Sequence, residues 1–150
     1  MPDVPPNVTI RATIRPGSVY YFRHEAFLHS SDPHYFVVIN IDPTIEQVIL
    51  LVCASTKIFK VVARSANLPP QTLIQVKPSQ YPGFIYTSIF DCNYVYEDSL
   101  ENLILRLENE QLVLKPEMDM QLVEQLRQGV LDSPLIAGRM KAQLRTIKSG

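Results

Sequence analysis

Cysteine and glycine are scarce in this chain and charge is balanced, and each shortage removes a class of protein. Its two cysteines, Cys53 and Cys92, make no disulfide framework and have no zinc-ligand spacing. Both are expected as buried, reduced thiols. Five glycines leave no Gly-rich phosphate loop, and neither a nucleophile elbow nor a paired-carboxylate spacing is present. With 14 basic and 15 acidic residues the net charge is −1, so any footprint for a nucleic acid has to be local. No apolar run is long enough to cross a bilayer. The opening MPDVPPN lacks the basic-then-apolar order of a secretory signal. These absences point to a cytoplasmic protein with no membrane contact, no metal and no cofactor.

What the chain has is proline, twelve in all. Many lie near apparent element boundaries, which suits many short strands better than long helices. One hundred and fifty residues suffice for one domain with its own hydrophobic core. Its centre is two β-branched runs, Tyr35–Ile41 and Val48–Ala54, punctuated by Asp42-Pro43-Thr44. Runs this short and this apolar predict core strands buried on both faces. Function is then expected at the strand ends, where His34 precedes the first run and Ser55-Thr56 follow the second.

Taken in order, residues 1–7 read as an arm, and Val8–Ile14 alternates like an edge strand. Arg15-Pro16-Gly17-Ser18 is a turn, Val19–Phe22 a strand, and His24 to Pro33 a polar loop. After the central pair, Lys57–Arg64 reads as a continuing strand, Thr72–Val76 as a short one and Tyr86–Tyr96 as an aromatic one. The texture then changes. Leu100, Leu103, Ile104 and Leu107 fall at helical spacing, and Gln111–Leu114 is ambiguous. A helix is expected from about Pro116 to Leu131 on the stripe Met118, Leu122, Val123, Leu126 and Val130. Another is expected from Ser133 as N-cap, with Ile136, Met140, Leu144 and Ile147 inward. The whole is a mainly β, α+β chain: an arm or edge strand over 1–14, a barrel-like core over 15–96 and a mostly helical part over 97–150.

Three pieces carry a likeness to a known family. They are Arg15-Pro16-Gly17-Ser18-Val19-Tyr20-Tyr21, His34-Tyr35 ahead of Phe36-Val37-Val38-Ile39-Asn40, and Ser55-Thr56 after Val52-Cys53-Ala54. In order and spacing, over roughly residues 15–96, they resemble the MazF/PemK toxins of type II toxin–antitoxin systems. The resemblance implies a small SH3-like β-barrel, here with two or three C-terminal helices, usually dimeric. It also implies metal-independent cleavage of single-stranded RNA, held in check by an antitoxin. The chain departs from the family where His34 and Tyr35 stand in place of its catalytic Arg and following Pro. It departs again in the helical part after Lys115.

Cleaving RNA without a metal needs a base for the 2′-hydroxyl, an acid for the leaving 5′-oxygen and a donor to the phosphate. Histidine suits the first two tasks. The catalytic candidates are His34, which with His24 or His29 on the preceding loop would make a base/acid pair, Ser55 or Thr56 as hydrogen-bond donor to the phosphate, and Arg23 or Arg15 as cation. Arg15, His24, His29 and Tyr35 are the binding candidates. His24, His29 and His34 recur every five residues, a spacing that matches no metal motif. The strand aromatics, among them Tyr21, Tyr81, Phe84, Tyr86, Tyr94 and Tyr96, offer stacking surfaces but are more often core. The alternative is a non-catalytic SH3-like barrel that binds a protein or RNA partner.

Overall fold

The computed structural model describes residues 4–27, 32–46 and 48–145. Seven strands among them form one antiparallel sheet: β1 (Val19–Phe22), β2 (His34–Val38), β3 (Ile49–Ser55), β4 (Leu73–Val76), β5 (Ser88–Asp91), β6 (Tyr96–Asp98) and β7 (Leu112–Lys115). Its order is β4-β5-β3-β2-β1-β7. β3 gives one edge to two partners, β5 at Ala54-Ser55 and β6 at Ile49–Leu51. β4 and β7 stand at the two ends of that order, and no pairing joins them among the described residues, so the sheet is open.

The central pair is β2 and β3, in register Tyr35↔Ala54 to Val38↔Leu51. Phe36, Val37 and Val38 are all buried, as are Ile49 to Val52. The reason is that the sheet is clothed on both faces, so alternate residues enter two different cores. One core gathers Val19, Val37, Ile39, Leu50, Val52 and Phe90 under Leu122, Val123, Leu126 and Val130 of α4 (Met120–Leu131) and Leu144 of α5 (Gly138–Leu144). The other gathers Tyr20, Phe22, Phe36, Val38, Ile49 and Leu51 against α1 (Pro6–Thr13) and α3 (Leu100–Glu108).

Several elements differ from what the sequence pattern predicts. Val8–Ile14 is no edge strand but lies largely in α1, with Pro6 in its first turn, where a missing N–H costs nothing. Ile10 and Ile14, four apart, are its buried pair. Lys57–Arg64 is also helical: α2 (Ile58–Arg64) turns Val61 inward and leaves Val62 exposed. The aromatic run Tyr86–Tyr96 splits into β5 and β6, because the Asp91 carboxylate accepts the Asn93 N–H and closes a turn between them. The ambiguous stretch at 111–114 is β7, which pairs with β1 from Val19↔Lys115 to Phe22↔Leu112.

The stretch after Pro116 starts as extended chain, and α4 begins only at Met120, capped by Asp119 accepting the Gln121 N–H. Ser133 does not cap the last helix. Its hydroxyl donates to Asn93 Oδ1 and accepts the Leu135 N–H, and α5 starts at Gly138. Ile147, placed on that helix by its spacing, lies outside the described residues.

Candidate functional site

Where β2 begins and β3 ends, the chain leaves a concavity of about 560 Å³. Pro33 disfavours a helical residue before it, and β2 begins directly after it at His34. At the other end Ser55 Oγ accepts the Lys57 N–H, turning β3 directly into α2. His34, Tyr35, Ser55 and Thr56 therefore line one cavity. Lys57, Lys60, Val61 and Arg64 form its α2 wall. Their spacing of three, four and seven residues keeps them on one helical face.

The opposite wall is the segment from Tyr81 to Tyr86. The Tyr81 hydroxyl donates to Pro116 O at 2.5 Å and the Tyr35 hydroxyl to Gly83 O at 3.2 Å. Phe84 meets both rings edge-on. Clamped below, the segment holds Ile85 and Tyr86 out into solvent, 80% and 70% exposed. Tyr21, Phe27, Cys53 and Tyr96 also line it, as do Asp91 and Tyr94. The Cys53 thiol is pushed up to about 12 by burial, so it is a neutral part of the wall and no nucleophile.

His34 stacks on Phe27, with centroids 4.6 Å apart and planes 11° from parallel. Its Nδ1 is buried and meets no hydrogen-bond partner among the described residues. Burial lowers its pKa from the usual histidine value. The backbone and carboxylate of Asp32 pull the other way, and the nearby Lys57 ammonium adds to the lowering. The result is a histidine biased towards its neutral, proton-accepting form.

Behind the α2 wall lies a buried polar network. Asp91 Oδ2 accepts the Ser65 hydroxyl at 2.6 Å and Arg64 Nε at 3.2 Å, while Oδ1 accepts the Asn93 N–H and side-chain amide. Asn93 passes the connection to Thr72 and Ser133. The Arg64 guanidinium also sits over the Tyr94 ring at 5.1 Å. Sequence pattern gives Asp91 and Asn93 as a half-exposed strand alternating with Cys92; all three are buried.

The remaining candidates lie elsewhere. Arg15 is ion-paired with Glu117, and Arg23 flanks a second concavity with Glu25 and Arg106. His24 is structural: Nδ1 accepts the Ala26 N–H, which leaves Nε2 to donate to Glu97 O. His29 lies outside the described residues. The cations of the site are instead Lys57, Lys60 and Arg64. Sequence reading passes over them because it takes their segment for a strand, in which Lys57 falls on the opposite face from Lys60 and Arg64; their signal is the spacing itself.

Among the described residues one group has the donors for a metal: His24, Glu25 and Asp98, with ligand-type atoms within 4.8 Å of one another. Arg106 already serves its carboxylates, donating to Asp98 at 2.5 Å and to both Glu25 oxygens at 2.7 Å. A cation is built in, and the donor set does not fit a second. Compared with known proteins, the chain matches no family model and no curated sequence.

Proposed function

We propose that this protein is a metal-independent endoribonuclease acting on single-stranded RNA, a divergent relative of the MazF/PemK toxins. The observation that supports it is the meeting of His34, two hydroxyls and three α2 cations in one concavity. In this reading neutral His34 takes the 2′-hydroxyl proton. The 2′-oxygen then attacks the adjacent phosphorus, and the P–O5′ bond breaks with its electron pair going to the 5′-oxygen. The Lys57 ammonium protonates that oxygen, leaving a 2′,3′-cyclic phosphate and a free 5′-hydroxyl. Ser55, whose oxygen already accepts the Lys57 N–H, keeps its hydroxyl proton for a phosphate oxygen, as does Thr56. Tyr86 and Tyr94, both exposed, offer faces for bases.

The SH3-like barrel, the homodimer and the antitoxin implied by the family likeness belong to the same proposal. The all-antiparallel order, with β3 sharing an edge between β5 and β6, supports its barrel part. The test is an end-labelled RNA incubated in EDTA with the wild-type protein and with His34→Ala. Discrete cuts ending in cyclic phosphate are expected from the wild type and none from the variant. Intact RNA from folded wild-type protein rules out cleavage and leaves a binding module; equal cutting by the variant removes His34 from the chemistry.

A further inference from the structure

We propose that α2 is a track for the sugar-phosphate backbone of a single strand, ending in a pre-set arginine fork. The ligand of this concavity is then a polynucleotide and not a mononucleotide. The track rests on reading the concavity as a nucleic-acid site, and it adds which groups hold the strand and how far they reach.

Lys57 is the cation that His34 feels, so it belongs to the reacting end. Lys60 follows one turn on, and Arg64 one further turn along the same face. From Lys57 to Arg64 the axis runs about 10 Å at 1.5 Å per residue, more than one phosphate group can occupy. Among the described residues neither lysine makes a salt bridge, whereas Arg11, Arg15, Arg106 and Arg139 all do.

Arg64 differs from an ordinary surface arginine. Its Nε is taken by Asp91, a carboxylate itself fixed by Ser65 and Asn93, and its guanidinium carbon lies over the Tyr94 ring. No described residue hydrogen-bonds to its two terminal nitrogens. An arginine tethered at Nε and set over a ring keeps two donors in a planar fork, the geometry that suits phosphate oxygens. Asp91 is thereby a positioning residue. An acidic peptide would use the same cations, but Tyr86 and Tyr94 beside them favour a ligand with a flat π-face every residue.

The test measures binding apart from cleavage. A fluorescein-labelled single-stranded deoxyoligonucleotide lacks the 2′-hydroxyl, so the proposed cutting route cannot act on it, and its anisotropy reports affinity directly. With three phosphates neutralised, log K should fall against log salt with a slope of about −2, each contact contributing about 0.7. Lys60→Gln should lower the slope by about 0.7. Arg64→Lys keeps the charge and should leave the slope, yet weaken binding about tenfold through loss of the fork. AMP should fail to displace the strand, and so should polyglutamate of matched charge.

An unchanged slope in Lys60→Gln, full affinity in Arg64→Lys, or displacement by AMP or polyglutamate would each overturn the track. Binding with these slopes but no cutting of RNA would sink the chemistry and leave the track standing. RNA cutting with unaltered binding by both variants would do the reverse.

Discussion

Two histidines, His24 and His34, show how little a residue's type decides by itself. His24 has a backbone partner for each nitrogen, so its proton is committed to holding a loop. His34 has a buried Nδ1 with no hydrogen-bond partner among the described residues and a cation nearby, so its neutral form is favoured where a substrate could reach. That has a sign. The acid limb of log(kcat/KM) for RNA cleavage should fall below the ordinary histidine value of about 6.5. Removing the Lys57 charge with Lys57→Gln relieves the cation and should move that limb to higher pH, whatever it does to the rate. Asp32→Asn removes an opposing anion and should move it lower. Folding stability follows the same group: the contribution of neutral His34 is complete above the unfolded value and is lost as pH falls through the folded one. A limb that ignores both substitutions would show that another group carries the proton.

At the scale of elements, the strands were the legible part and the short helices were not. β2 and β3 declare themselves because their apolar runs are too short for helices and are punctuated by Pro43. α2 hides because Ile58, Val61 and Val62 read equally well as an uninterrupted β-branched strand. The i→i−4 bonds from Val61 N–H to Lys57 O and from Ser65 N–H to Val61 O distinguish the two, since Val61 in and Val62 out would suit either. The cations of the site were hidden with it. α4 was legible in its stripe, and one of its residues shows how tightly it seats. A Cβ at Gly129 would lie 2.8 Å from Cys92 Sγ and 3.2 Å from Ile74 Cδ1. Gly129→Ala gains about 1 kcal/mol of helix propensity but overpacks a filled interface at about 1–3 kcal/mol. The expected outcome is a net loss of stability, read as a lower urea midpoint at unchanged m. A rise in midpoint would mean that α4 can lift off the sheet without cost.

For the molecule as a whole, the division into a β core and a helical tail misses what the tail does. Leu112–Lys115 supplies the outer partner of β1, Met118 N–H bonds to Gly17 O, and α4 covers a full face of the sheet. The β7 pairing does not show in periodicity, since a four-residue strand between helices has no pattern of its own. A chain cut after Asn109 would bare Val19, Val37, Ile39 and Val52 together. It should lose cooperative unfolding and bind a hydrophobic dye. A truncated chain with a sharp transition and slow amide exchange in β2 and β3 would show that the tail is dispensable.

The pairing of Phe22 with Leu112 also bears on the order in which the chain is made. A nascent chain that has emerged only as far as β6 already carries His34, Ser55, Thr56 and α2. It still has nothing to cover one side of its sheet or to complete β1, so the walls of the concavity are not yet held. Folding waits until β7 and α4 have emerged. A nuclease built this way would spare the message and the ribosome that are producing it until those later elements are in place.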